Sequence, residues 1–261
     1  MTSQDLVTQY RFPDDRYAVV LNANAGRVTK RLARRVRELV PHDRVYLTES
    51  QEHSREVLHK CVEREISTVF AGGGDGTIVD VINTLADLKD DAPKIPSVGV
   101  LRCGTGNALA HWLGSDRPVQ ALSKWQGGLL HRTVPVNMVE AEDTLFPFAG
   151  LGIDGAVLND YNWLKSQAKD QWWYPMVRGI RGYLMSGYLK TIPNYLRREI
   201  PTVTVTNMGE PAYRIGPDGR ELGEPVAHGD VLYHGPCSLL GTATTPLYGY
   251  GMRMFPYATR R

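Results

Sequence analysis

The chain has 261 residues, of which 42% are hydrophobic, and its 30 Lys and Arg nearly balance its 28 Asp and Glu. This composition is that of a globular protein that can bury a core, and the net charge of +2 does not indicate a nucleic-acid partner. The three cysteines, Cys61, Cys103 and Cys237, form no CxxC pair, which argues against a disulfide framework and against a zinc site.

The amino-terminal residues 1–17 are polar, and the sequence contains no run of about 18 apolar residues. We therefore expect neither an export signal nor a membrane-spanning helix, and we predict a cytoplasmic protein. The basic run at residues 30–35 falls within an amphipathic helix pattern. We interpret it as a solvated helix face, so no nucleic-acid interface is predicted.

Residues 17–130 alternate between short β-rich runs and longer periodic runs. Strands are predicted at residues 17–22, 44–48, 67–72 and 97–102. Helices are predicted between and after them, at residues 28–40, 54–65, 78–88 and from about Asn107. This alternation indicates parallel βαβ units, so we predict a doubly wound α/β sheet over residues 14–130, within a nucleotide-binding domain of residues 1–133.

From residue 134 onward the pattern changes to short alternating runs separated by Gly and Pro, which is typical of antiparallel β structure. These runs are PTVTVTN at 201–207, AYRIG at 212–216 and DVLYHGP at 230–236. A helix-favouring insertion near residues 160–198 interrupts the β-rich region. We therefore predict a smaller, antiparallel β-rich second domain over residues 134–261.

The stretch GGGDGT, residues 72–77, lies between a strand pattern and a helix pattern. At the carboxyl end of a parallel strand, such a turn brings backbone N–H groups close to an anion, and the N-terminus of the next helix adds partial positive charge. The turn therefore favours a phosphate site. Its carboxylate, Asp75, would repel an anion unless it holds a metal ion, a hydroxyl or a ribose. A tight turn with Asp75 as a helix cap is the structural alternative.

Two further turns have the same character. The stretch GTGN, residues 104–107, follows the next predicted strand, and NANAG, residues 22–26, follows the first one. The carboxyl ends of parallel strands meet at one edge of a sheet. Three glycine-bearing turns at that edge therefore predict one shared phosphate site rather than three unrelated turns.

The pairing of GGGDGT with GTGN, after an N-x-x-x-G turn, resembles the catalytic domain of the diacylglycerol kinase and sphingosine kinase superfamily, which includes bacterial lipid kinases. FAGLGIDGAV (148–157) is similar to the family's G-x-G-F-D-A segment, and YGYGMRMFPYA (248–258) resembles its GGGM-x-x-x-P-x-A segment. These segments occur in the family's order, so the resemblance spans nearly the whole chain. NAD kinases share the GGDGT turn but not the paired GTGN, and phosphofructokinases carry a GGDD variant, so the pair of turns is more specific than GGDGT alone.

The resemblance implies that ATP binds at the glycine turns, with Asp75 near the reacting centre. The residues implied for the nucleotide site are Asn22, Thr48, Gly72, Gly73, Gly74, Gly76, Thr77, Gly104, Thr105, Gly106 and Asn107. Thr48 fits a helix cap equally well. Asp154 is implied to face the lipid headgroup or acceptor hydroxyl, and a turn aspartate is its structural alternative.

Phosphoryl transfer depends mainly on positioning and charge stabilisation, which backbone donors and Mg²⁺ provide. ATP and Mg²⁺ are therefore the expected cofactors, and the metal ligands stay open. Family members usually continue with a D-D-G-x-L segment, involved in a metal site, and a D-G-E segment whose carboxylate helps to deprotonate the acceptor. Neither is present before Arg261. We expect either a truncated chain, a short variant whose base is Asp75 or another carboxylate, or a protein that binds without turnover. The Asn22-Ala23 pair, where the family usually has Asn-Pro, leaves the first turn possible.

Residues 163–198 combine aromatic with basic side chains. Aromatic residues at headgroup level beside cations are typical of a segment at a membrane interface. The alternative is that the aromatic residues pack on the β domain and the cations are solvated. The aromatic residues are Trp163, Trp172, Trp173, Tyr174, Tyr183, Tyr188 and Tyr195, and the cations are Lys165, Lys169, Arg178, Arg181, Lys190, Arg197 and Arg198.

The sequence thus predicts a peripherally membrane-associated, ATP-dependent lipid kinase that phosphorylates a hydroxyl of a diacylglycerol-like or sphingoid lipid. The identity of the acceptor and the oligomeric state stay open. An NAD-kinase-like enzyme is one alternative, and it would not depend on lipid vesicles. A catalytically inactive nucleotide- or lipid-binding protein is the other, and it would bind ATP or vesicles without transferring phosphate.

Overall fold

The computed structural model describes residues 9–11, 16–89, 94–129, 131–177, 179–248 and 251–258. Arg178, a member of the predicted interfacial segment, lies outside the described residues, as do residues 249–250 of the YGYGMRMFPYA stretch.

The main sheet of the chain is parallel and has four strands. The first strand, β1 (Gln9–Arg11), lies outside it. The main sheet consists of β2 (Tyr17–Asn22), β3 (Val45–Thr48), β4 (Thr68–Gly73) and β5 (Ser97–Arg102), in the order β3-β2-β4-β5. A sixth strand, β6 (His131–Thr133), pairs antiparallel with β1. The predicted α/β fold class with a parallel sheet is confirmed.

Two hydroxyl groups start the first helices. Helix α1 (Lys30–Leu39) begins after Thr29, whose Oγ1 accepts a hydrogen bond from the N–H of Leu32. Helix α2 (Gln51–Glu63) begins after Ser50, whose Oγ accepts from the N–H of His53. These oxygens bind N–H groups that the first helical turn leaves without a partner. The cap of α2 is therefore Ser50, and Thr48 does not serve as one.

Three more helices complete the α/β region. Helix α3 (Asp75–Asp87) follows β4 after a single residue, Gly74. The helix expected from about Asn107 is α4 (Ala108–Trp112), and a further helix, α5 (Pro118–Gln126), follows it. Gly114 has a φ of +64° and ends the first of these, and Pro118 begins the second. Left-handed glycine after a helix and proline at its first position are common stop and start signals.

Apolar side chains cover both faces of the sheet. Alternate residues of a strand point to opposite faces. In β2, Val19 and Leu21 accordingly join one core cluster and Ala18 and Val20 join another. Helices α1 and α5 pack on the first face, and helices α2 and α3 pack on the second. The helical residues involved are Val36 and Leu122 on the first face, and Leu58 and Val81 on the second.

A small hairpin follows the sheet. Strands β7 (Val139–Ala141) and β8 (Thr144–Phe146) are antiparallel and are joined by Glu142 and Asp143, which both have positive φ. Positive φ at both central residues is characteristic of a tight two-residue hairpin turn. Asn83 of α3 donates to the carbonyl of Leu145 at 2.9 Å and accepts from its N–H at 2.7 Å. This side chain attaches the hairpin to α3.

The chain packs as two compact units: Met1–Ala149 with Thr242–Arg261, and Gly150–Gly241. Residues 134–149 therefore pack with the first unit. The domain boundary between residues 133 and 134 stays a prediction about sequence domains, which compactness alone does not define.

Helices come first in the second unit. Strand β9 (Phe148–Gly152) leads directly into α6 (Ile153–Ala168), which is followed by α7 (Ile180–Ser186) and α8 (Ile192–Tyr195). The helical segment thus begins at Ile153, before the predicted start near residue 160. Among the described residues, no helix is long and apolar enough to cross a membrane.

The antiparallel strands come after the helices. Strands β10 (Thr202–Thr206) and β11 (Val231–Pro236) pair antiparallel, and β12 (Leu239–Ala243) pairs with β9. The strand expected at residues 212–216 is reduced to isolated bridges. Gly219 and Gly223 have positive φ there, so the chain turns too often for a continuous ladder.

Candidate functional site

The predicted glycine turns lie at one edge of the main sheet. Asn22 ends β2, Gly73 ends β4 and Arg102 ends β5, and all three strands run in the same direction. Thr48 ends β3 and lies opposite Asn22 in the register. The carboxyl edge of a parallel sheet is where α/β proteins bind ligands.

Asn22 connects the first turn to the second. Its Nδ2 donates to Oγ1 of Thr77 in α3 at 2.9 Å, and its Oδ1 accepts from the N–H of Asn24 at 2.9 Å. The Nδ2 of Asn24 donates to the carbonyl of Glu49 at 2.8 Å. The structure thus places Asn22 and Thr77 together, as members of one hydrogen-bonded group.

Thr48 has a structural partner at the same edge. Its hydroxyl donates to the carbonyl of Leu21 at 3.4 Å, and the residue is buried. The hydroxyl therefore bonds to the neighbouring strand β2. A role for Thr48 in nucleotide binding stays a prediction.

The glycines of the second turn divide into two groups. A Cβ on Gly72 would collide with the side chain of Leu21, and one on Gly73 would collide with Thr77. A Cβ on either glycine would therefore force a neighbouring side chain to shift. A Cβ on Gly76, in contrast, would meet no atom within 4 Å. The chain around Gly76 therefore leaves open space at the N-terminus of α3, where backbone N–H groups carry partial positive charge.

The second and third turns touch through their backbones. A Cβ on Gly104 would collide with the Cα of Gly74, so only a glycine at position 104 allows this approach. A Cβ on Gly106 would lie 2.7 Å from Oδ2 of Asp75. The two turns that the sequence singled out thus form one continuous surface.

Asp75 lies in the second turn and forms a hydrogen bond to the third turn. It is the first residue of α3, and its Oδ1 accepts from the N–H of Ala108, the first residue of α4, at 2.7 Å. Burial raises the pKa of the Asp75 carboxyl, and backbone N–H groups of Ala108, Asn107 and Leu109 act in the opposite direction. Asp75 therefore supplies the N-terminal cap of α4, a helix whose preceding residue makes no side-chain cap.

Asn107 folds back on the third turn. Its Oδ1 accepts from the N–H of Gly104 at 2.8 Å, and its Nδ2 donates to the carbonyl of Gly104 at 2.7 Å. Its backbone is left-handed, with a φ of 51°, a conformation that asparagine tolerates better than most residues. Both ends of the amide thus bond to one glycine, whereas Thr105 is exposed beside it.

The sequence reasoning missed two cations at this edge. Arg27 follows the first turn, is exposed, and lies close enough to Cys103 to lower the pKa of that thiol, although burial still raises it to about 11. Arg102 ends β5, and its guanidinium lies 3.3 Å from Nε2 of His111. The positions of Arg27 just after Gly26 and of Arg102 at a strand end were the available signals. Both are suited to neutralising an anion.

Asp154 belongs to the second unit and is described within it. It lies in the first turn of α6, and its Oδ1 accepts from the hydroxyl of Tyr183 at 3.1 Å. The ring of Tyr183 packs edge to face on Tyr161, whose hydroxyl accepts from the N–H of Gly179 at 2.9 Å. The orientation of Asp154 is therefore fixed by α7, and its contact with a lipid stays a prediction.

The described residues contain no group of three or more His, Cys, Asp or Glu side chains that could hold a metal ion. The ligands of the expected Mg²⁺ therefore stay open. A magnesium ion that accompanies a nucleotide keeps several waters and phosphate oxygens and needs only one or two protein carboxylates.

Comparison with known proteins shows what the residues at this edge of the sheet are similar to. Residues 16–141 match the model of the diacylglycerol kinase catalytic domain. Human sphingosine kinase 2 is 43% identical over 65 residues, which are 24% of this chain and 10% of the human protein. A probable YegS-like lipid kinase of Yersinia pestis is 32% identical over 96 residues, which are 37% of this chain and 31% of that protein. The matched segment thus spans less than a third of either relative.

Solved structures show the same fold. A diacylglycerol kinase from Bacillus anthracis superposes with a TM-score of 0.52 at 17% identity, covering 95% of this chain and 69% of that one. A second structure, of a putative diacylglycerol kinase from the same species, gives a TM-score of 0.54 at 17% identity. At such low identity the likeness concerns the fold, which extends over nearly all of the chain.

Proposed function

Since residues 16–141 match the model of the diacylglycerol kinase catalytic domain, we propose that the chain transfers the γ-phosphate of ATP to the hydroxyl of a membrane lipid. The observation that carries the proposal is the contact of Gly74 with Gly104, which joins two glycine turns into one surface at the carboxyl edge of the sheet. That surface contains the N-terminus of α3, a 13-residue helix, and has Arg27 and Arg102 at the same edge.

These residues fit the phosphates of a nucleotide. The open space over Gly76 is where a phosphate can approach the first N–H groups of α3. Arg27 and Arg102 supply positive charge, and the exposed hydroxyl of Thr105 supplies a further hydrogen-bonding group. When bound, ATP with Mg²⁺ supplies the phosphoryl group and a metal that neutralises its charge. The residues that this chain contributes bind and orient the phosphates.

Asp75 is proposed as the general base. Its Oδ1 is held by the N–H of Ala108, which fixes the carboxyl group in one orientation. Burial raises its pKa and so makes it a stronger base, whereas the backbone donors limit the rise and keep the ionised form accessible. The oxygen of the acceptor hydroxyl forms a bond to the γ-phosphorus, and the hydroxyl proton passes to Asp75. The bond between the γ-phosphorus and the bridging oxygen breaks, and that oxygen leaves as part of ADP.

We propose a diacylglycerol-like or sphingoid lipid as the acceptor, at the surface of the membrane that contains it. The names of the relatives support this class, since they include a sphingosine kinase and diacylglycerol kinases. A role for Asp154 beside the acceptor is part of the same proposal. Its fixed bond to Tyr183 would hold the carboxylate ready for a hydroxyl group.

The test is phosphate transfer from labelled ATP with Mg²⁺ to mixed lipids in vesicles. Wild type is compared with Asp75→Asn, which keeps an oxygen for the N–H of Ala108 but removes the base. Asp80→Asn is the matched control, because Asp80 is an exposed carboxylate on the same helix. We expect an organic-soluble labelled product that falls more than about a hundredfold in Asp75→Asn and is unchanged in Asp80→Asn.

Two outcomes would contradict the proposal. Near-normal transfer by Asp75→Asn would remove Asp75 from the chemistry. Absence of any lipid product from the wild type, with ATP binding retained, would favour a protein that binds nucleotide without transferring phosphate.

A further inference from the structure

The helical run at residues 180–196 exposes its large apolar side chains. The exposed fractions are 61% for Leu184, 78% for Tyr188, 73% for Leu189 and 82% for Leu196. Met185 and Ile192 are also exposed. We call these six residues the apolar face: Leu184, Met185, Tyr188, Leu189, Ile192 and Leu196.

The other side of the same run buries small and polar residues: Gly182, Ser186, Gly187 and Thr191. Amphipathic helices of globular proteins normally do the reverse, with apolar residues inside. Here the run packs against α6: Thr191 donates to Oδ2 of Asp160 at 2.7 Å, and a Cβ on Gly187 would lie 3.5 Å from Val157. Because these residues contact α6, the apolar face on the opposite side of the run points to solvent.

A π-helical turn lies in the middle of the apolar face. Residues 187–191 form this turn, and the N–H of Ile192 bonds to the carbonyl of Gly187. Such turns insert one extra residue into a helix and are frequent at functional sites. The turn contains Tyr188 and Leu189, two neighbouring residues that are both exposed.

The charge of the surrounding segment is positive. Residues 153–200 contain seven Lys and Arg against four Asp and Glu. Lys190 pairs with Asp160 at 3.0 Å, so this pair is internally neutral. Arg181 lies beside the apolar face in sequence on one side, and Arg197 on the other, and both are exposed. Exposed apolar residues flanked by cations have the chemistry of a surface that binds anionic bilayers.

We propose that the apolar face docks on the surface of an anionic lipid bilayer, with Leu184, Leu189 and Leu196 entering the headgroup boundary. Tyr188 suits the same depth, because its ring is apolar and its hydroxyl is polar. A second copy of this chain fits the face less well, because a symmetric contact would bring like charges such as Arg181 and Arg197 together. The inference deepens the proposed function, since a bilayer is where its lipid acceptor would lie.

The experiment is co-sedimentation of the full chain with sucrose-loaded vesicles, without ATP. Vesicles of phosphatidylcholine alone are compared with vesicles that also contain phosphatidylglycerol, at low and at high salt. The test variant is Leu184→Ser/Leu189→Ser/Leu196→Ser. The matched control is Met208→Ser/Leu222→Ser, which removes apolar residues that are exposed by 71% and 51% elsewhere in the same unit.

We expect the wild type and the control to sediment with phosphatidylglycerol vesicles, and salt to weaken the binding. Binding of the triple variant should fall about tenfold or more, because each leucine loses apolar area that the bilayer would cover. All the replaced side chains are exposed, so the variants should keep the wild-type unfolding midpoint.

Three results would overturn the inference. They are a wild type that stays in the supernatant with every vesicle, a triple variant that sediments like the wild type, and a wild-type dimer that the triple variant converts to monomers. Failure of the kinase proposal is recognised separately. In that case vesicle binding persists and responds to the triple variant, while no labelled lipid forms.

Discussion

The carboxylate of Asp75 accepts a hydrogen bond from the N–H of Ala108 at 2.7 Å, across 33 residues of sequence. The bond joins the first residue of α3 to the first residue of α4, and with them the two glycine turns. The same carboxyl group is the proposed base. Its position therefore depends on the turn that it caps, and this coupling can be tested without any activity measurement.

Asp75→Asn should change the pH dependence of stability. Burial raises the pKa of Asp75 in the folded chain, so the folded state binds its proton more tightly than the unfolded state. The protonated carboxyl of Asp75 therefore stabilises the folded chain relative to the unfolded one. This stabilisation is fully present below the ordinary carboxyl pKa of about 3.9, and it is lost as the pH rises through the higher pKa of Asp75 in the folded chain. The free energy of unfolding of Asp75→Asn, relative to wild type, should therefore increase as the pH rises from about 4 through the pKa of Asp75 in the folded chain.

Urea unfolding at a series of pH values measures this difference. Asp80→Asn is the control, because it removes an exposed carboxylate from the same helix. A relative stability of Asp75→Asn that falls over the same range would mean that the backbone donors outweigh burial at this site.

Sequence reasoning could place the glycine turns at one edge of the sheet because the signals for these turns are local. Glycine turns that follow β-rich runs can be recognised within a few residues, and parallel strands then place them at one edge. The partners inside the site are not local. The bond from Asp75 to Ala108 and the contact of Gly104 with Gly74 join separate turns, and no spacing rule specifies such a pair.

Two alternatives that the sequence leaves open depend on contacts of the same kind. Thr48 and Ser50 both precede α2, and only the backbone direction decides that Ser50 forms the cap while Thr48 bonds across to β2. The helical run at residues 180–196 was recognised as helical and aromatic. Its exposed side depends on packing against α6, which the amphipathic pattern alone would have assigned the other way round.

Two glycine substitutions should differ in their effect on stability, because one glycine is needed for packing and the other borders open space. Gly104→Ala places a methyl group against the Cα of Gly74, and backbone cannot move aside cheaply, so we expect a loss of about 1–3 kcal/mol in unfolding free energy. Gly76→Ala meets no atom within 4 Å and lies in a helix, so stability should be kept or rise by about 0.5–1 kcal/mol. Urea unfolding gives both values.

ATP binding should respond to Gly76→Ala although the fold does not. The added methyl group occupies the space that the proposed phosphates need, so calorimetry should show a clearly weaker affinity for ATP. An unchanged affinity would place the phosphates elsewhere along the edge of the sheet. Gly209→Ala is the matched control, because it lies in the second unit and a Cβ there meets no atom closer than 3.8 Å.

Arg27→Gln should weaken ATP binding through charge. Arg27 follows the first turn and lies near enough to Cys103 to act on the pKa of its thiol. We expect the dissociation constant for ATP to rise about tenfold at low salt and by less at high salt, because salt screens an exposed charge. Arg31→Gln, on the exposed side of α1, is the control and should leave the affinity unchanged. Equal effects of the two variants would indicate general attraction rather than a phosphate contact.

The thiols should report on the integrity of the first unit. Cys61 and Cys103 are buried, and burial raises the pKa of each to about 11, so both stay protonated near neutral pH. Cys237 is partly exposed, with its thiol 3.2 Å from the carbonyl of Leu239. Because the thiolate is the reactive form, a thiol-specific disulfide reagent should titrate only Cys237 rapidly in the folded chain and all three in urea. Cys237→Ser should abolish the fast phase. In the folded chain Cys103 is buried and lies beside Gly72 and Arg27. Rapid reaction of Cys103 in that variant would therefore mean that this edge of the sheet opens in solution.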